Sequence, residues 1–86
     1  MSLALAAHVS ATETEDGGMV LLDGRSGRHW KLNPTGGAIL RVLLGEPSQE
    51  AAIGVLLRAH PQSAERIPDD VVNLVRTLRD RQLVAS

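Results

Sequence analysis

The sequence predicts an α+β domain of winged-helix-like proportions: a three-stranded antiparallel sheet followed by three helices. Two observations carry this. The first third alternates in polarity and is punctuated by glycines at 17, 18, 24 and 27. From Asn33 onward the apolar residues recur at helical spacing instead, so strands and helices are segregated along the chain.

His8 to Thr12 alternates and reads as a first strand. Glu13 to Gly18 is an acidic turn, and Met19 to Asp23 is a short β-prone run. Gly24-Arg25-Ser26-Gly27 is a hairpin turn bounded by residues that tolerate positive φ. Arg28 to Leu32 is the returning strand. Trp30 and Leu32 share one of its faces, and His29 and Lys31 share the other.

Asn33 caps the first helix and Pro34 suits its first position, where no partner is needed for a missing N–H. Ile39, Leu40, Leu43 and Leu44 form the apolar stripe, and Gly45 stops it. Gly36-Gly37 costs about 1 kcal/mol per residue inside a helix, which predicts close approach of another backbone or a frayed first turn. Ser48 caps the second helix, whose stripe is Ala52, Ile53, Leu56, Leu57 and His60, and His60-Pro61 ends it. The last helix starts at about Ala64 or Pro68 and ends near Gln82. Its core stripe is Ile67, Val71, Leu74, Val75 and Leu78. Val72 falls off that stripe, on a flank with Pro68, Arg79 and Leu83 and with Arg76 beside them.

Eighty-six residues make one small domain over residues 1–86, with 1–6 expected to be a flexible arm. There is no Cys, which removes thiol nucleophiles and thiolate metal sites and fits a reducing, cytoplasmic setting. The apolar N-terminus lacks a basic flank, so it does not read as a signal peptide, and no run reaches the length of a membrane span. A net charge of −1 argues against a dedicated nucleic-acid binder.

No catalytic constellation is present. His8, His29 and His60 have no metal-ligand spacing, and no serine sits in a nucleophile elbow. Asp69-Asp70 lies in a first helical turn, where acids complement the macrodipole. The glycines at 36 and 37 lack a phosphate-binding partner set. The sequence therefore predicts a protein that is not an enzyme and needs no cofactor or metal. Arg66, Arg76, Arg79 and Arg81 gather late but are interleaved with acids. That pattern reads as a solvated face, a peptide-binding flank or, as an alternative, the recognition helix of a small winged-helix DNA-binding regulator.

The run Leu21-Leu22-Asp23…Gly27-Arg28-His29-Trp30-Lys31-Leu32-Asn33-Pro34-Thr35-Gly36…Ile39-Leu40…Leu43 resembles the PqqD-like family. So does Asp70-Val71…Leu74-Val75…Leu78…Leu83-Val84. These domains are RiPP recognition elements, which bind the leader peptide of a ribosomally made precursor. The present form looks most like the standalone versions of lasso peptide biosynthesis. It departs from the pattern at His29, where Tyr is common, at Gln82, where Gly often precedes the last Leu, and at Pro68, just before the Asp.

The resemblance implies a non-catalytic peptide chaperone. The leader adds as an antiparallel strand along the third strand, in the groove between it and the third helix. Arg28, His29, Trp30 and Lys31 then supply the pairing edge. Val72, Val75 and the stems of Arg76 and Arg79 line one wall, where the guanidinium groups suit acidic leader residues. The implied partners are the leader of the precursor, a transglutaminase-like cysteine leader peptidase and an asparagine-synthetase-like lasso cyclase. A recognition element for another peptide-modifying enzyme is the alternative within the family.

Overall fold

The hairpin at Asp23–Arg28 organises the sheet. The Asp23 N–H donates to the Arg28 carbonyl at 2.9 Å, and Gly27 turns the chain at φ +75° while its N–H returns to the Asp23 carbonyl at 2.8 Å. The computed structural model describes residues 3–85. Its strands are β1 (Val9–Glu13), β2 (Met19–Asp23) and β3 (His29–Leu32), in the antiparallel order β1-β2-β3. The helices follow as α1 (Pro34–Gly45), α2 (Gln49–Ala59) and α3 (Ile67–Asp80), with a single 3₁₀ turn at Pro61–Ser63 before the last. This is the expected order of elements. The first strand begins one residue later than its alternation predicts, and α3 starts at Ile67, which leaves Pro68 safely inside the first turn.

Asn33 and Ser48 cap α1 and α2 as their chemistry requires. Asn33 Oδ1 accepts the Gly36 N–H at 2.7 Å, and Ser48 Oγ accepts the Ala51 N–H at 3.0 Å. The glycine pair at 36–37 is explained by close approach: a Cβ on Gly37 would stand 3.4 Å from the Gly18 carbonyl carbon. The 17–18 turn is thus pressed onto the start of α1. Arg41 secures it by donating to the Gly17 carbonyl at 3.0 Å and to Glu13 at 2.6 Å.

The core has two joined parts. Met19, Leu21, Leu32, Leu40, Leu78, Leu83 and Val84 lie between sheet and helices, with Trp30 and Leu74 packed against them. Ile39, Leu43, Ala52, Leu56, Ile67, Val71 and Val75 fill the space among the helices. Leu74 touches both parts. His60 ends α2 as its C-cap, as His60-Pro61 predicts, but it is exposed and does not join the buried part of the apolar stripe.

The expected arm over residues 1–6 is pinned from Leu3 onward, and Met1 and Ser2 lie outside the described residues. Leu3 and Leu5 pack on the core, Leu5 pairs with Val84, and the Ala6 N–H donates to the Leu83 carbonyl at 3.0 Å. These apolar residues gain by burial what a free arm would forgo. No helix among the described residues is long and apolar enough to cross a membrane.

Candidate functional site

β3 is bonded to β2 on one side only, and its backbone polarity follows from the register. The Asp23 N–H is bonded to the Arg28 carbonyl, so these two residues face each other across the hairpin. With pairs Leu22↔His29, Leu21↔Trp30, Val20↔Lys31 and Met19↔Leu32, alternation makes Trp30 and Leu32 the next residues bonded to β2. His29 and Lys31 therefore turn their N–H and C=O groups to the open edge. The edge closes immediately beyond them, because the Asn33 carbonyl accepts the Gly37 N–H at 2.8 Å inside α1. The accessible pairing edge is short and defined.

Side chains divide as the period of two demands. His29 and Lys31 are exposed on the outer face, Leu32 is buried, and Trp30 is half-buried on the core face. A cleft of about 750 Å³ lies beside β3, lined by Arg28, His29 and Trp30 from the strand side and by Asp80, Arg81, Gln82 and Leu83 from the end of α3. Asp23, Ser26 and Gly27 complete its mouth. A smaller hollow of about 350 Å³ lies past the other end of β3, where Pro34, Thr35 and Ala38 face Ile67 and Asp70.

These two hollows identify the flank of α3 that looks toward the strand. At about 100° per residue, Asp70, Leu74, Thr77 and Arg81 fall on one side of the buried Val71–Val75–Leu78 stripe. Val72, Arg76 and Arg79 fall on the other. Asp70 and Arg81 line the hollows beside β3 and α1, and Leu74 packs against the same core part as Trp30. Val72, Val75, Arg76 and Arg79 instead line a separate hollow of about 300 Å³ with Gln49, at the start of α2. Only Asp80 borders both. The eight residues singled out in the sequence are thus not brought to one place. Arg28, His29 and Trp30 share the cleft, Lys31 contributes its backbone edge, and the helix residues sit across α3. Val75 is itself core, 3% exposed, whereas Val72 is 39% exposed.

Spacing alone does not distinguish Arg81 from the other late arginines. Its guanidinium carbon lies 4.1 Å from the centroid of the Trp30 ring, a cation–π stack across the cleft. The helix end holds it there. The Leu83 N–H donates to the Leu78 carbonyl at 2.9 Å and the Gln82 N–H to the Arg79 carbonyl at 3.0 Å, while Gln82 sits at φ +58°. That is the Schellman arrangement, with Gln in the left-handed position that glycine favours.

Asp23 at the mouth is satisfied internally. Its Oδ1 accepts the N–H groups of Arg25 at 2.8 Å and Ser26 at 3.4 Å. Chiefly the Arg25 hydrogen bond holds its carboxyl below the usual range. His8 Nε2 lies 3.9 Å from the same oxygen and 3.2 Å from Arg25 Nη2. Among the described residues no three His, Asp or Glu side chains gather to hold a metal.

Comparison with known proteins gives this geometry a family. The family of Coenzyme PQQ synthesis protein D (PqqD) matches residues 18–84. The chain belongs to the PqqD family. Among solved structures, this PqqD-family chain is similar over its full length, and that of the other chain, to "Lasso peptide synthetase B1 complexed with the leader peptide", with 30% identity and a TM-score of 0.84. It also shares its fold with "TbiB1 in Complex with the TbiA(beta) Leader Peptide", at 18% identity and a TM-score of 0.81 over 96% of this chain and 95% of that one. No curated protein sequence matches it significantly. The three-stranded antiparallel sheet followed by three helices is the fold these PqqD-like structures share.

Proposed function

We propose that this chain binds the leader peptide of a lasso peptide precursor by adding it as an antiparallel strand to β3. The observation that supports this most is the open backbone edge of His29 and Lys31 beside a cleft whose far wall is the end of α3 and the turn after it. The 30% identical relative of full matching length, solved with a leader peptide, supports the choice of ligand. An extended peptide completes the hydrogen bonds of His29 and Lys31, and these contacts give affinity without regard to its side chains. Side chains on the inner face of the peptide meet Trp30, Leu74 and the α3 flank, and they give specificity. Antiparallel entry puts the leader's N-terminal side near Pro34 and Asp70 and its C-terminal side near Arg28 and Arg81.

The chain acts by binding alone. It holds the precursor for a transglutaminase-like cysteine peptidase, which removes the leader, and then for an asparagine-synthetase-like cyclase. Tethering raises the effective concentration of the cleavage site at the protease. The test is a titration with a synthetic leader of the cognate precursor, read by the fluorescence of Trp30, the single Trp. Saturable binding that survives added salt is expected. Failure to bind the leader, together with affinity for duplex DNA that falls steeply with salt, would favour the winged-helix regulator instead.

A further inference from the structure

The Arg81–Trp30 pair does more than pack. We propose that Arg81, stacked on Trp30 and assisted by Arg28, is a clamp for an acidic side chain of the bound leader, on the C-terminal side of the residue that pairs with His29. This rests on the leader-binding reading and adds a specificity determinant to it.

The geometry carries the assignment. A guanidinium that lies over a ring uses its π-face and leaves its in-plane N–H donors pointing outward. Among the described residues Arg81 has the Trp30 ring as its partner and no carboxylate. The planar fork is therefore pre-set, and a carboxylate matches it with paired N–H···O bonds. Arg81 is held from both ends, by the capped end of α3 and by the ring, so little freedom remains to be lost when the carboxylate arrives.

The charged groups around the pair are two guanidinium groups and two carboxylates. Arg28, the exposed residue just before β3, lines the same cleft. Exposed His29 borders it from the outer face. Of the acids, Asp23 accepts the N–H groups of its own turn through Oδ1 and keeps its negative charge. Asp80 borders both this cleft and the hollow across α3. A leader carboxylate entering this cleft meets the guanidinium groups of Arg28 and Arg81 and the carboxylates of Asp23 and Asp80, so it is the unfilled fork of Arg81, not a net positive charge, that selects it. The Trp30 face also keeps water from one side of the charge pair, which strengthens it.

The experiment is a double-mutant cycle on the full chain. The probes are a synthetic leader of the cognate precursor and versions with each Asp→Asn or Glu→Gln change made singly. Arg81→Gln is expected to weaken binding of the parent leader at least about tenfold. One amide-substituted leader should lose the same factor on the wild-type chain and nothing further on Arg81→Gln. Arg81→Lys, which keeps charge but not the fork, should fall between. Circular dichroism melting establishes that each variant is folded. If Arg81→Gln does not fold, the amide series on wild-type protein and Arg81→Lys carry the decision. Equal affinity of all amide leaders for the wild-type chain overturns the clamp while leaving leader binding intact. Coupling of Arg81 to an aromatic leader residue alone also overturns it. Absence of any leader binding to the wild-type chain overturns the clamp and the leader-binding reading together.

Discussion

The free edge of β3 makes a prediction with a distinctive pattern. Only His29 and Lys31 turn their N–H and C=O groups outward, because Arg28, Trp30 and Leu32 face β2. An antiparallel guest therefore makes up to about four backbone bonds, through two of its residues that are two places apart. A single N-methyl group on the guest removes one of its N–H donors. At either paired residue the loss is about 0.5–1.5 kcal/mol, or roughly 2- to 13-fold in Kd, before any steric cost of the methyl between the strands. At the residue between them the N–H points to solvent, and N-methylation there should leave affinity nearly unchanged. The assay is a walk of N-methyl substitutions along a synthetic leader, each titrated by Trp30 fluorescence. Two sensitive positions separated by a tolerant one are expected. Uniform sensitivity along the peptide, or none, would refute strand addition to this edge.

Three further outcomes follow from the packing. Gln82→Gly should raise stability by about 1 kcal/mol, because Gln82 stands at φ +58°; chemical denaturation reads this directly, and an unchanged midpoint would remove the strain argument. Val72→Asp should leave the fold intact, since Val72 is exposed, and should leave leader affinity unchanged, since it lies across α3 from the cleft; a folded variant with weakened affinity would bring the Gln49 hollow into the site. Trp30→Ala should cost about 2 kcal/mol, below the roughly 3–5 kcal/mol of a fully buried large aromatic, because Trp30 is half-buried; urea unfolding followed by circular dichroism checks it.

Much of this was legible in the residues. The period of two placed Trp30 and Leu32 inward and His29 and Lys31 outward, and the capping chemistry of Asn33 and Ser48 located two helix starts. The apolar stripe of α3 was also readable, as was the exclusion of Val72 from it. What the stripe could not reveal is which of its two flanks meets β3. Helical periodicity defines a buried face and is indifferent to the neighbours on either side of it. That choice depends on the route of the chain through α2 and the Pro61–Ser63 turn, which brings Asp70 and Arg81 to the strand side and carries Arg76 and Arg79 to Gln49. The Arg81–Trp30 stack joins residues remote in sequence through the same route. The pairing of Leu5 with Val84 has no local signature either, since it joins the two ends of the fold.

The open edge of β3 also bears on how copies of the chain meet one another. Exposed edges invite self-pairing, and proteins blunt them with short strands and lysines. Here β3 spans only His29–Leu32, and Lys31 lies on it. Two copies joined antiparallel through β3 would set Lys31 of one opposite Lys31 or His29 of the other, about 5.5 Å apart between Cα atoms. The two-fold relation of such a joint would also bring both α3 helices to the same side of it, over the one cleft. A lone extended chain brings no helix of its own. On the proposed mode of binding, such an edge would discriminate by thickness before sequence, admitting a single strand more readily than the rim of another sheet.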